Sequence, residues 1–347
     1  MRRLKDRDFI ETREGFLFCV VGYSHPSSRI ISYLKYVPSV YGRWGRKTER
    51  FSRTMPNYTI PSLLKNIDML KKNYPIYVFT SRIFNIQMSA VPNVCISKKY
   101  FPEVALHSFF SSNSLDSLQM ATIELVSLLS RDSGISKNDF GVTGSLLTGI
   151  HNPKFSDIDL IVYGANNCWK INKRLKMVNE NTFQRSDLDK KRILARWVKN
   201  YPLTFKEANW IYDRKWNYGC FNHRSFSIHS VRKNNEIVEK YGDKYFQPRG
   251  IVEGEAEITD VSESLFLPST YKVRGLEIKV ENTLEEVNEI SSYDGFYTGL
   301  FEREELVSVR GKLEQVNDKR GNQYFRVLIG SPECKGLDYL KPLKSSR

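Results

Sequence analysis

The stretch that decides the fold is GVTGSLLTGIHNPKFSDIDLIVYG, from Gly141 to Gly164. It predicts a strand, a tight turn, a short helix and a second strand. Gly144 has no Cβ, so the backbone there can turn sharply and come close to a ligand. The free N–H groups of a helix that starts at Leu146 would face an anion such as a triphosphate, together with the Ser145 hydroxyl. The pattern therefore indicates a phosphate-binding turn.

Two acids lie at the start of the second predicted strand. Successive side chains of a strand alternate between its faces, so Asp157 and Asp159 share one face and the apolar residues among and after them share the other. Two neighbouring carboxylates repel each other and resist desolvation, which is costly unless a cation lies between them. Mg²⁺ binds through one or two carboxylates plus substrate phosphates. The spacing therefore indicates a site for Mg²⁺, or for Mn²⁺ in its place.

The pair Gly144-Ser145, followed by Asp157 and Asp159 in SDIDLIV, resembles the signature of the DNA polymerase β superfamily of nucleotidyltransferases. The resemblance implies that the Gly-Ser turn holds a nucleoside triphosphate (NTP), with Ser156 among the nucleotide-binding residues. It also implies two metal ions on the paired aspartates and a third carboxylate on a later strand. The alternative is a loop and a strand in which the aspartates only cap a turn.

The third carboxylate is missing from its expected place. GCFNHRSFSIHSV, at Gly219 to Val231, resembles the third strand of archaeal CCA-adding enzymes and related transferases, and by that resemblance the last aspartate falls on Ser227. Ser227 cannot supply a charge, whereas His229 on the same face could bind metal or accept a proton when neutral. This departure matters because a third carboxylate normally helps to hold the metal that activates the attacking hydroxyl.

A later acidic segment offers substitutes for that carboxylate. GIVEGEAEITD, at Gly250 to Asp260, alternates glutamates with apolar neighbours. Glu257 is the first candidate for the third catalytic carboxylate, and Asp260 is the second. The alternative is that these glutamates form the solvent face of an edge strand, as alternation in an antiparallel sheet usually indicates.

The composition is that of a globular protein with a polyanionic partner. The chain has 347 residues, of which 40% are hydrophobic and 27% charged, and this length favours two or three domains. Lys and Arg number 53 against 39 Asp and Glu, giving a net charge of +14. Such a charge favours RNA or another nucleic acid through counterion release, although a total charge does not show a concentration on one face.

Cysteine usage and hydropathy predict a cytoplasmic protein. The five cysteines are scattered and none is spaced as CxxC, so they indicate neither a zinc knuckle nor a disulfide framework. No apolar run approaches the length of a membrane span, and the N-terminus lacks the apolar core of a signal peptide. We therefore expect reduced thiols and no membrane partner.

A basic, aromatic segment is the candidate nucleic-acid surface. VYGRWGRKTERFSR, at Val40 to Arg53, mixes cations that can hold phosphates with rings that can stack on bases. The alternative is a mobile basic loop whose aromatic residues fold back onto the domain. The candidate contact residues are Arg43, Trp44, Arg46 and Lys47.

The predicted fold class is α+β, with three consecutive domains. Residues 1–110 form an N-terminal α+β domain of unassigned role, and residues 118–245 form a nucleotidyltransferase core of mixed sheet and helices with a helical insertion. Residues 250–347 contain several short alternating runs, which predict a small β-barrel or sandwich, OB-like among the options. The motif order over most of the length also resembles archaeal predicted nucleotidyltransferases.

Two functions follow from these patterns as hypotheses. The first is a metal-dependent nucleotidyltransferase that moves a nucleoside monophosphate from an NTP to a hydroxyl acceptor, with an RNA end as the expected acceptor. The second is a nucleotidyltransferase fold that has lost its last carboxylate and binds RNA or nucleotide without turnover.

Overall fold

The computed structural model describes residues 2–177, 187–280 and 283–343. Within these ranges the fold is mixed α+β, which confirms the predicted class. None of the described helices is long and apolar enough to cross a membrane.

The α-helices are α1 Ile60–Asn73, α2 Pro102–Phe110, α3 Ser117–Ser133, α4 Gly144–Thr148, α5 Ala165–Met177, α6 Asp187–Asn200 and α7 Phe205–Arg214. The strands are β1 Phe9–Thr12, β2 Leu17–Val20, β3 Arg29–Pro38, β4 Trp44–Arg46, β5 Glu49–Arg53, β6 Val78–Ser81, β7 Ile86–Pro92, β8 Ile96–Tyr100, β9 Phe140–Val142, β10 Ile158–Tyr163, β11 Tyr218–Phe221, β12 Arg224–Val231, β13 Lys244–Asp260, β14 Ser269–Arg274, β15 Glu277–Val280, β16 Thr283–Ser292, β17 Leu306–Asp318, β18 Gln323–Ile329 and β19 Tyr339–Pro342.

The chain divides into two compact units, each assembled from three separate segments. The three consecutive domains predicted from the sequence cut the chain at other places, and those ranges stay a prediction. The first unit comprises Met1–Pro56, Ser89–Ser186 and Trp216–Val238, and the second comprises Asn57–Met88, Asp187–Lys215 and Glu239–Arg347.

The first unit contains an antiparallel sheet built from the N-terminal strands. Its strands lie in the order β4-β5-β3-β2-β1-β8. The pairing of β2 with β3 contains an irregularity, because Leu17 lies opposite Tyr36 while Phe18 lies opposite Leu34. Lys35 is therefore an extra residue on β3, and the two strands form a β-bulge at this position.

A second, four-stranded sheet of the first unit carries the motif, in the order β11-β12-β10-β9. β10 is parallel to β12 and antiparallel to β9. All apolar positions from Ile158 to Val162 are fully buried, so this strand lies in the core. The preceding helix α3 starts at a capping box formed by Asp116 and Gln119, and it ends at Gly134 with φ +68°.

The second unit contains a curled sheet that closes on itself. β13 pairs with β14, β14 with β16, β16 with β18, β18 with β17, and β17 with β13 again. The β16–β18 pair is parallel and the other four pairs are antiparallel. β13 changes register between Pro248 and Ile251, where Gly250 has φ +97°. Its interior is apolar, with Tyr271, Val287 and Val327 fully buried.

Candidate functional site

The bend at Gly144 and the carboxylate of Asp159 lie against each other. β9 ends at Val142, and the N–H of Thr143 donates to the carbonyl of Asp159 at 2.9 Å. Gly144 then starts α4 with φ +66°, a conformation that L side chains rarely adopt. A Cβ at this position would lie 2.6 Å from Oδ2 of Asp159. The Asp159 carboxylate therefore occupies the space that any side chain at position 144 would need.

Asp157 and Asp159 form an electrostatically coupled pair. Asp157 is exposed just before β10, and Asp159 is half-buried within the strand. The pKa of Asp157 is raised to about 6, first by the neighbouring Asp159 carboxylate and then by desolvation. Burial alone would raise the pKa of Asp159, but Lys35, His229 and the hydrogen bond from Ser227 bring it below its ordinary value. At neutral pH both acids are therefore charged, and they repel each other.

Ser227 connects this pair to the neighbouring strand. Because β12 runs parallel to β10, Ser227 lies directly opposite Asp159. Its hydroxyl donates to Oδ1 of Asp159 at 2.5 Å and lies 3.1 Å from Nε2 of His229. At the position expected for the third carboxylate, β12 thus carries the Ser227 hydroxyl, which is within hydrogen-bond distance of both Asp159 and His229.

The donor set suits a divalent cation that is shared with a phosphorylated substrate. In residues 2–177, 187–280 and 283–343, no group of three or more His, Cys, Asp or Glu side chains is arranged to hold a metal. The site instead offers two adjacent carboxylates, Asp157 and Asp159. Since Mg²⁺ is commonly bound through one or two carboxylates plus substrate phosphates, these residues fit the ion implied by the sequence.

The two predicted nucleotide-binding serines have different surroundings. Ser145 is buried in the first turn of α4, next to Gly144, and its carbonyl accepts from the N–H of Ile150 at 3.1 Å. Ser156 is buried immediately before Asp157, and its hydroxyl accepts from the N–H of Asn152 at 3.0 Å. Its own N–H donates back to the Asn152 carbonyl at 2.9 Å. These two hydrogen bonds between Ser156 and Asn152 close the loop that precedes Asp157.

The candidates for a substitute carboxylate lie in the second unit. Glu257 is on β13, and its Oε1 accepts from the Arg274 guanidinium at 2.6 Å. Asp260, at the end of the same strand, accepts from the N–H of Ser262 at 2.8 Å. Both acids thus have partners within their own unit. The role of Glu257 in catalysis stays a prediction from the sequence.

Arg46, a residue of the predicted nucleic-acid surface, has three partners within the protein. Its Nε donates to Glu49 at 2.8 Å, and its two terminal nitrogens donate to Glu11 and to the Tyr100 hydroxyl, each at 2.6 Å. This network ties β4 to β5, β1 and β8. The Arg46 guanidinium is therefore engaged in holding the sheet together.

The rest of the basic hairpin packs on the loop that leads to Asp157. The guanidinium carbon of Arg43 lies 4.6 Å from the centre of the Phe155 ring, and the Trp44 ring meets Phe155 edge to face at 5.6 Å. The N–H of Gly45 donates to the carbonyl of Ile150 at 2.8 Å. Lys47 is exposed. The sequence allows two interpretations of this segment, a nucleic-acid surface and a loop whose aromatic residues fold back onto the domain, and Trp44 packs as in the second.

Comparison with known proteins relates the chain to a protein of an archaeon. No family model matches it, and no solved structure matches it. It is 30% identical over 353 aligned positions to "Uncharacterized protein MJ1086" of Methanocaldococcus jannaschii, covering 98% of this chain and 99% of that protein. The chain therefore belongs to the same family as this archaeal protein. The name of the relative states no activity.

Proposed function

We propose that this protein is a metal-dependent nucleotidyltransferase that transfers a nucleoside monophosphate from an NTP to a hydroxyl acceptor, most simply on RNA. The observation that carries the proposal is the coupled pair Asp157 and Asp159, of which Asp159 lies against the Gly144 bend. A pair of mutually repelling acids at a backbone turn is costly to keep, which favours a role in binding a cation with a phosphorylated ligand. The strand, turn, short helix and strand around the pair support a polymerase β-like core.

Each residue of the site has a role in this reaction. Asp157 and Asp159 would hold the cation, and the backbone at Gly144 and Ser145 would face the phosphates. A divalent cation bound there would offset the negative charge of the phosphates. The acceptor oxygen forms a bond to the α-phosphorus while the bond from that phosphorus to the bridging oxygen breaks, and pyrophosphate leaves. His229, when neutral, is the candidate acceptor for the hydroxyl proton.

The second unit supports a nucleic-acid acceptor. We propose that its closed five-stranded ring with one parallel pair is an OB-like barrel, a fold that commonly binds single-stranded nucleic acid. On the outer face of β14, however, Lys272 is paired with Glu289 and Arg274 with Glu257. These cations are neutralised locally, so the proposal assigns no RNA contact to them.

The test is a transfer assay with the purified full-length protein. Each of the four labelled NTPs is offered with a pool of cellular RNA, in Mg²⁺, in Mn²⁺ and in chelator. We expect metal-dependent labelling of RNA that Asp159→Asn reduces at least a hundredfold. Asp68→Asn, an exposed substitution on α1, is the matched control and should leave labelling unchanged. Undiminished transfer by Asp159→Asn would remove the basis of the proposal.

A second candidate function rests on Ser227. Because a hydroxyl stands where the related transferases carry their last aspartate, the protein could bind RNA or nucleotide without turnover. This candidate predicts NTP affinity with no labelled product under any of the assay conditions. A metal-dependent product from the wild-type protein would exclude it.

A further inference from the structure

The N-terminal sheet covers the helix that follows the Gly144 bend. Leu147 and Ile150 share one apolar cluster with residues of β1, β2, β3 and β5, including Tyr36. Two hydrogen bonds hold the sheet and the motif together. Thr143 Oγ1 donates to the carbonyl of Arg7 at 2.8 Å, and the N–H of Gly45 donates to the carbonyl of Ile150, also at 2.8 Å. The face of the sheet that carries Tyr36 is therefore the face turned toward the motif.

The β-bulge places Lys35 on this same face. Tyr33 lies opposite Cys19 and Tyr36 lies opposite Leu17, so both tyrosines share a face of β3 although two residues lie between them. Lys35 shares that face with Tyr33 by ordinary alternation. Without the extra residue, Lys35 and Tyr36 would point to opposite faces. Bulges commonly redirect a side chain next to a functional site.

Arg53 lies beside Lys35 on this face. Arg53 on β5 is directly opposite Tyr36, and its guanidinium carbon lies 5.8 Å from the Tyr36 ring and 5.1 Å from the Trp44 ring. Lys35 is only 7% exposed, and its Nζ lies 5.5 Å from the Phe9 ring. A buried ammonium is costly unless its charge serves an interaction.

Both residues lie near the paired acids. The Arg53 guanidinium carbon lies 5.1 Å from the Trp44 ring, and Trp44 packs on Phe155, two residues before Asp157. In agreement with this geometry, Lys35 and Arg53 each lower the pKa of Asp157 and of Asp159. The two cations and the two carboxylates therefore share one region of the first unit. Guanidinium groups bind phosphate oxygens in pairs, and an ammonium group binds them as a compact charge.

We propose that Lys35 and Arg53 bind the terminal phosphates of the NTP, so that the N-terminal sheet forms the phosphate-binding wall of the site. The inference rests on the proposed function in one respect, since it takes the ligand to be a triphosphate. It assigns the sheet a part in binding the NTP, whereas the sequence pattern at Val40 to Arg53 indicates only a nucleic-acid surface.

The rival explanation is that the two cations only neutralise the acids. The explanations differ in what happens when a cation is removed. If Lys35 and Arg53 only neutralise Asp157 and Asp159, their removal should tighten binding of Mn²⁺ alone and leave phosphate binding intact. If they bind phosphates, their removal should weaken every ligand that carries a phosphate chain.

The experiment compares ligands with the full-length protein by calorimetry. The probes are inorganic tripolyphosphate and each NTP, all with Mg²⁺, and Mn²⁺ alone. We expect Lys35→Met and Arg53→Met each to weaken tripolyphosphate and NTP binding at least tenfold. Lys98→Met is the matched control on β8 of the same sheet, where the lysine is exposed over the Tyr100 ring at 4.5 Å, and it should leave both affinities unchanged.

Conservative variants separate binding from folding. Lys35→Arg and Arg53→Lys keep the charge and should retain most of the affinity. If Lys35→Met does not fold, the half-buried Arg53 supplies the same test through Arg53→Met. Tripolyphosphate affinities of the methionine variants within twofold of wild type would overturn the inference.

This outcome is distinguishable from failure of the proposed function. A wild-type protein that binds tripolyphosphate through Lys35 and Arg53 but transfers no nucleotide would reject the transferase and keep the inference. A protein that transfers nucleotide while Lys35→Met and Arg53→Met keep the wild-type KM for NTP would reject the inference alone.

Discussion

The Asp159 carboxylate lies so close to Gly144 that position 144 has no room for a side chain, since a Cβ there would be 2.6 Å from Oδ2 of Asp159. Gly149, at the other end of α4, has nearly the same backbone conformation, with φ +69° against +66°, but a Cβ there meets nothing within 4 Å. Substitutions at these two glycines therefore distinguish the effect of backbone strain, which both would cause, from displacement of the Asp159 carboxylate, which only a substitution at Gly144 would cause.

The first prediction compares alanine at these two positions. Gly144→Ala and Gly149→Ala should each lose roughly 1 kcal/mol of unfolding free energy, because each forces a positive φ on a residue with a side chain. Only Gly144→Ala should also displace Asp159 and lower nucleotide transfer at least tenfold. Urea unfolding and the transfer assay measure the two effects. Equal activities of the two variants would show that the contact with Asp159 has no functional role.

The second prediction concerns the repulsion between the paired acids in the absence of metal. The folded-state pKa of Asp157 is raised to about 6 by Asp159, against the opposing charges of Lys35 and Arg53. For an acid with a raised pKa, folding stability decreases as the pH rises from about 4 to about 6, because the unfolded chain ionises first. Asp157→Asn should therefore be more stable than wild type at pH 8 in chelator.

Thermal melts from pH 4 to pH 8 measure this difference. We expect the Tm of Asp157→Asn to exceed that of wild type by about 1–4 °C at pH 8, with the gap closing toward pH 4. Asp68→Asn, an exposed substitution on α1, is the matched control for the loss of one carboxylate. A gap that stays constant over the whole range would rule out ionisation of Asp157 as its cause.

The third prediction concerns Ser227, which donates to Asp159 and lies opposite it. Ser227→Asp places a third carboxylate beside the pair, so it should lower the Tm in chelator by added repulsion. The same variant should show a larger Tm increase on addition of Mn²⁺ than wild type does, because binding of a ligand to the folded state stabilises it. Ser227→Ala removes the hydrogen bond to Asp159 but adds no charge, so it should lower the Tm in chelator without the larger Mn²⁺ response. A smaller Mn²⁺ response in Ser227→Asp would argue against a cation between Asp157 and Asp159.

The fourth prediction separates structural from functional arginines in the basic hairpin. Arg46 is bound by Glu11, Glu49 and Tyr100, so Arg46→Met should lower the unfolding free energy by about 1–2 kcal/mol. Arg43 is exposed and contacts the Phe155 ring, so Arg43→Met should change stability little while weakening RNA binding. Urea unfolding measures the stability of both variants, and RNA titrations at two salt concentrations measure their RNA affinity. Wild-type RNA affinity in Arg43→Met would remove this hairpin from the nucleic-acid surface.

The sequence was informative where structure is determined locally. The alternation of apolar residues with Asp157 and Asp159 predicts a buried strand. β10 is such a strand, and its apolar residues are buried. Apolar residues at helical spacing from Leu118 to Arg131, followed by Gly134, likewise predict a helix before the motif, and α3 ends at Gly134 in the left-handed conformation.

Features that depend on pairing between distant segments were not predictable. The position of Lys35 follows from the register of β2 with β3, and the contact between Ser227 and Asp159 follows from a parallel pairing between segments far apart in the chain. No local residue pattern encodes either register. The sequence predicts a small β-barrel or sandwich for residues 250–347, but it does not give the pairing of β13 with β17 that closes the ring.

The first unit consists of separate chain segments, and this affects the chain while it is being synthesised. β10 leaves the ribosome well before β12, its partner on one side, and residues 187–215 of the other unit are translated in between. Until Arg224–Val231 arrives, the nascent chain exposes the unpaired edge of an apolar strand, which is a template for aggregation. A product that stops before Trp216 should therefore depend on chaperones and be degraded quickly.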